Sequence, residues 1–240
     1  MYQMNNPIIP GFYPDPSICR AGSDYYIATS SFTFFPGIPL WHSKDLCHWE
    51  NIGYALDRHE QLRMNPKGLS AGTFAPTIRY HDGLFYVIVG NMSTGENIVV
   101  TATDPAGDWS EPHFVEGIGG DPDLFWDDEG TCWCAFSAFG GPHRGIVRQK
   151  LDTEKWELTG DPIFMWGGAA VDAPSPEAPH IYKIGDWYYL MIAEGGTEHM
   201  HAVTIARSKT LDGKFEGYVG NPILTHRHLK RISEIVNVGH

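Results

Sequence analysis

The feature that most constrains this chain is a segment of the form x-Pro-x-apolar that recurs four times. It reads Asp15-Pro16-Ser17-Ile18, Ala75-Pro76-Thr77-Ile78, Asp121-Pro122-Asp123-Leu124 and Ala178-Pro179-His180-Ile181, with prolines 60, 46 and 57 residues apart. Each copy leads, after a polar or glycine turn, into an aromatic run of strand type: Tyr25-Tyr26-Ile27, Leu84-Phe85-Tyr86-Val87, Cys132-Trp133-Cys134 and Trp187-Tyr188-Tyr189-Leu190. An alternating strand follows, such as Ile98-Val99-Val100-Thr101 or Val203-Thr204-Ile205-Ala206. A turn closed by Trp49, Trp109, Trp156 or Phe215 ends each unit. These aromatics are 60, 47 and 59 residues apart, so a second marker reproduces the proline spacing.

A unit of about four strands repeated every 45 to 60 residues or so is the pattern of propeller blades. Helical solenoids are excluded, because no apolar period of 3.6 residues is sustained. A long β-sandwich could also give degenerate four-strand repeats, but its strands need not keep two markers in phase. The fold class expected is therefore all-β, a β-propeller, in one domain spanning residues 1–240. Only four units are complete, since fifteen residues after Thr225 are too few for another four-strand sheet.

Composition narrows the partners. A formal net charge of −12, spread along the chain, repels phosphate backbones and anionic lipid, so neither nucleic acid nor a membrane is expected as a partner. Residues Met1 to Pro7 lack a basic segment and an apolar core of signal-peptide length, which reads as a cytoplasmic protein. Cys19, Cys47, Cys132 and Cys134 lack Cys-x-x-Cys spacing and read as free thiols.

In a propeller the first strand of each blade lines a central channel, so equivalent strand starts converge in space. Those starts carry Asp15, Asp121 and, one residue before the aligned position, Glu177. Carboxyls directed into one pocket repel one another, which costs stability but suits acid and base chemistry. The competing reading is that an acid before proline merely caps a turn. Asp123 is a second candidate beside Asp121, because strand alternation sends both to one side; alignment with Asp15 favours Asp121. Glu198-His199-Met200-His201 has metal-ligand spacing on a strand, although a solvated loop is the simpler reading.

At these residues the sequence resembles glycoside hydrolase family 43, in its β-xylosidase and α-L-arabinofuranosidase members. The resemblance rests on Phe12-Tyr13-Pro14-Asp15-Pro16-Ser17-Ile18, Asp24-Tyr25-Tyr26-Ile27-Ala28-Thr29-Ser30, His42-Ser43-Lys44-Asp45-Leu46, Asp121-Pro122-Asp123-Leu124-Phe125, Glu177-Ala178-Pro179-His180, Ala193-Glu194-Gly195-Gly196-Thr197 and Asn221-Pro222-Ile223-Leu224-Thr225-His226-Arg227. It implies a five-bladed propeller, of which about four blades lie in this chain, ending before the fifth is complete. It also implies an inverting glycosidase that releases xylose or L-arabinose from xylan-derived oligosaccharides.

By that resemblance Asp15 is the general base, Glu177 the general acid, and Asp121 the carboxylate that tunes the acid and orients substrate. An inverting enzyme holds its two working carboxyls about 6.5 to 9.5 Å apart to admit a water. Phe32 and Phe74 match aromatic positions that flank the sugar, and Thr197 a hydroxyl of the pocket. His240 resembles a channel histidine that lies near a water cluster or, in some members, calcium. No cofactor is required, and a structural calcium in the channel stays an open option, as does an oligomer. An arginine that the family supplies from its later part is absent. Gly120 stands where several relatives have a bulky apolar residue, and Phe74 where others have tryptophan. A non-catalytic glycan-binding propeller fragment and an endo-arabinanase are the alternatives.

Overall fold

The computed structural model describes residues 6–63, 68–69, 71–140, 144–170 and 174–228. These fold into two compact units, residues 1–116 and 117–240. Each unit contains two antiparallel sheets in which strands follow one another in chain order.

In the first unit, β1 (Ser17–Ala21), β2 (Asp24–Ala28), β3 (Gly37–Ser43) and β4 (Glu50–Leu56) form one sheet. The strands β5 (Thr73–His81), β6 (Leu84–Asn91), β7 (Glu96–Ala102) and β8 (His113–Val115) form the next. In the second unit, β9 (Gly120–Trp126), β10 (Cys132–Ala138), β11 (Gly145–Asp152) and β12 (Glu157–Trp166) form one sheet. The other holds β13 (Glu177–Ile184), β14 (Trp187–Glu194), β15 (Ala202–Ser208) and β16 (Glu216–Gly217), with β17 (Leu224–Thr225) also on β15. Each sheet is one predicted repeat, and the all-β propeller class is observed.

Local chemistry explains the hairpins. Two residues link β5 to β6, Asp82 at φ 47° and Gly83 at φ 83°. That is the left-handed pair a tight hairpin needs, and Asp-Gly supplies it at low cost. Beyond the turns, alternate residues of neighbouring strands meet between the sheets. Val87 and Val89 of β6 and Ile98 and Val100 of β7 pack with Ile38, Leu40 and Leu56 in the first core. Ile146, Ile181, Leu190 and Ile192 surround Trp166 and Phe215 in the second. Each such side chain, taken out of water, contributes about 1.5–3 kcal/mol.

The x-Pro segment is where the strands depart from ideal form. Asp15, Ala75, Asp121 and Ala178 have φ of 54°, 46°, 52° and 49°, so all four repeat positions adopt the left-handed conformation. The pairing slips by one residue at the same place. Phe74 and Thr77 face Gly90 and Ile88, Gly120 and Asp123 face Ser137 and Ala135, and Glu177 and His180 face Ala193 and Met191. The innermost strands β5, β9 and β13 therefore each carry an extra residue at the entry, a bulge that bends the chain and re-aims the side chains beside it.

Candidate active site

Innermost strands within a unit are tied by side chains of the repeat itself. Ile78 N–H donates to Ser17 Oγ at 2.8 Å in the first unit, and Ile181 N–H to Asp123 Oδ2 at 2.8 Å in the second. Ser17 and Asp123 are equivalent repeat positions, and they perform the same task.

That assignment separates Asp121 from Asp123. The left-handed residue and the bulge break the expected alternation, so the two do not share an environment. Asp123 is fully buried, with His180 Nδ1 3.9 Å from its carboxylate, whereas Asp121 is only half-buried. Asp123→Ala is expected to lower the unfolding free energy by about 1–3 kcal/mol by stranding a buried N–H. Urea denaturation checks this, and Asp123→Asn, which keeps an acceptor oxygen, is expected to recover most of the loss.

Asp121 and Glu177 are brought together in the second unit. Ala178 N–H, the peptide following Glu177, donates to Asp121 Oδ2 at 3.2 Å. Glu177 opens β13 half-buried, between the buried Pro176 and the buried Ala178 and Pro179. The bulge follows it directly, between Glu177 and His180. The pair is thus a carboxylate held by the backbone at the peptide that follows a second, half-buried acid.

Asp15, Phe32 and Phe74 are gathered in the first unit. Ser30 Oγ donates to Asp15 Oδ2 and accepts from Ala75 N–H at 2.7 Å, so Asp15 and the residue after Phe74 share one hydroxyl. Phe32 and Thr73 exchange backbone hydrogen bonds of 3.0 Å. The rings of Phe32 and Phe74 meet edge to face with centroids 4.5 Å apart, and Phe12 lies 5.6 Å from Phe32. Phe32 and Phe74 are half-buried and Phe12 is exposed, so apolar ring surface on which the C–H face of a sugar can rest is left open. Phe74 and Glu177 occupy equivalent positions of the repeat, so one bulge presents a ring and the other an acid.

Thr197 is exposed in the turn after β14. The glycine turn ahead of it is sterically required: a side chain at Gly195, at φ 95°, would meet the carbonyl oxygen of Met200 at 2.1 Å. His201 is not solvated as expected. It is buried, and its Nδ1 bonds the carbonyl of Gly196 at 2.8 Å, closing the turn. Glu194 is buried as well, accepting from Ala169 N–H at 2.7 Å and from Thr204 Oγ1 at 3.3 Å. Neither Ser30 nor Glu194 carries a local sequence signal of these contacts, whose partners lie 10 to 45 residues away.

His240 lies outside the described residues, and with it the calcium option attached to it. Among the described residues no group of three or more His, Cys, Asp or Glu could hold a metal ion. The four cysteines are free thiols, three of them buried; burial pushes Cys19 up to about 12. A cleft at the far ends of β9 and β13, lined by Asp127, Trp133, Arg148, Lys183, Asp186 and Asp212 among others, contains none of the expected site residues.

The sequence profile of glycosyl hydrolases family 43 matches residues 4–240. The chain is 49% identical to a xylosidase/arabinosidase of Butyrivibrio fibrisolvens over 98% of its length and 47% of that protein. It is 43% identical to a non-reducing end α-L-arabinofuranosidase of Bacteroides ovatus, covering 92% of this chain and 41% of the relative. Among solved structures, a xylan β-1,4-xylosidase from Bacillus halodurans superposes with a TM-score of 0.88 at 40% identity, over 95% of this chain and 45% of that one. The chain spans less than half the length of each of these relatives.

Proposed function

Because the chain belongs to glycosyl hydrolases family 43, a family of glycosidases, we propose that it carries the catalytic carboxyls of an inverting exo-glycosidase that removes a terminal xylose or L-arabinose from xylan-derived oligosaccharides. The observation that carries this reading is the bond from Ala178 N–H to Asp121 Oδ2, which sets a carboxylate beside Glu177 at the entries of two neighbouring strands.

Asp15 acts as the general base, removing a proton from water as the water oxygen bonds to the anomeric carbon. Glu177 acts as the general acid, giving its proton to the glycosidic oxygen as the bond to the anomeric carbon breaks. The sum is one water consumed and one glycosidic bond cleaved, with configuration inverted. Asp121 is the carboxylate that tunes the acid and orients the substrate, held by the Ala178 N–H beside Glu177. Phe32 and Phe74 offer the apolar wall of the sugar site, and Thr197 a hydroxyl at its edge.

The stereochemistry of the first product tests the mechanism. Proton NMR of 4-nitrophenyl β-D-xylopyranoside hydrolysis by the polypeptide at its natural length is expected to show α-xylose before mutarotation. Initial β-xylose would overturn inversion, and xylose binding without turnover would favour the non-catalytic alternative. The arabinofuranoside assayed in parallel ranks the two sugars.

A further inference from the structure

The two units treat the same backbone group differently. In the repeat, Ala75 and Ala178 are equivalent, and each N–H points back towards the entry of the preceding blade. In the second unit the carboxylate of Asp121 accepts that N–H itself, at 3.2 Å. In the first unit Ser30 Oγ takes the N–H of Ala75 at 2.7 Å and passes a hydrogen bond on to Asp15 Oδ2. A single hydroxyl has been inserted between a carboxylate and the peptide that its counterpart binds directly.

Ser30 is well placed to hold that geometry. It is 2% exposed, and its own N–H donates to the carbonyl of Pro14, the residue before Asp15, at 2.9 Å. Ser30 Oγ already accepts the Ala75 N–H. Its hydrogen is thereby directed at Asp15, whose Oδ2 accepts it. Asp121, by contrast, is bound to a peptide that cannot rotate.

We propose that Ser30 is a positioning residue for the water-activating carboxylate: it fixes the plane of Asp15 and holds it as an acceptor, so that the carboxylate meets the attacking water in one orientation. The proposal rests on the reading of Asp15 as the general base. It also accounts for why two carboxylates at equivalent repeat positions take different roles, since one is tied to the backbone and the other to a hydroxyl relay.

Ser30→Ala and Ser30→Cys test it in the natural-length polypeptide, with Ser30→Thr as the conservative variant. Misplacing the carboxylate is expected to lower kcat by about 10- to 100-fold while KM changes little, and threonine is expected to restore most of the rate. Cysteine keeps the shape with a weaker donor, so it reports on the bond even where alanine fails to fold. A double-mutant cycle with Asp15→Asn, read on an activated aryl xyloside, separates positioning from structure. Ser30 acting through Asp15 predicts no further loss of the residual rate when the Ser30 change is added to Asp15→Asn. An equal loss in both backgrounds, or full kcat in Ser30→Cys, would overturn the inference while leaving the base assignment standing. Wild-type turnover by Asp15→Asn would sink the base assignment itself.

Discussion

Asp15→Asn is expected to lower kcat on xylosides by about 10⁴-fold, the upper end of what a positioned base contributes, while the protein stays folded. The substitution is chosen for the backbone at this site. Asp15 has φ 54°, a conformation that asparagine tolerates better than most residues, and the amide oxygen of asparagine can still accept the Ser30 hydroxyl. What the amide cannot do is take a proton from water. The unfolding midpoint and the inhibition constant of xylose are therefore expected to stay near their wild-type values as the rate collapses. Asp15→Gly adds a second arm, because glycine also accepts the left-handed backbone and leaves a gap for azide. Azide needs no base, so its attack at the anomeric carbon is expected to restore turnover and to yield a glycosyl azide. Comparable rates for wild type and Asp15→Asn would remove Asp15 from the mechanism.

The repeat could be read from the sequence because both of its markers record packing. Trp109 and Phe215 are buried where the outer strands turn, and each aromatic run became the second strand of a sheet. Two-residue hairpins such as Asp82-Gly83 are equally visible, since few residue pairs adopt that turn. The bulge was hidden. A residue before proline is normally extended, yet Asp15, Ala75, Asp121 and Ala178 are all left-handed, held so by hydrogen bonds between strands that are distant in sequence. Simple alternation therefore misplaced Asp121 relative to Asp123. Ser30 was invisible for the same reason, because its two partners lie 15 and 45 residues away and nothing local marks a serine as a relay. His201 looked like a solvated residue until the tight turn at Gly195 drew its ring inward.

Glu177→Gln should produce a loss that depends on the leaving group, and this dependence identifies an acid better than any single rate. An alkoxide leaving group, as in xylobiose, is a strong base and cannot depart without a proton. For that substrate the rate is expected to fall by about 10³- to 10⁴-fold. A dinitrophenolate departs unaided, and its xyloside is expected to lose no more than about tenfold, within the range left to the remaining contacts. Across a series of aryl xylosides the wild type should respond weakly to leaving-group basicity and Glu177→Gln steeply. Glutamine preserves the size of the side chain and the bulge at Ala178, so the bond from Ala178 N–H to Asp121 is expected to survive along with the fold. A uniform loss over the whole series would mean that residue 177 shapes the pocket without donating a proton. In that case the acid would have to be sought elsewhere, and Asp121 next door would be the first carboxyl to test.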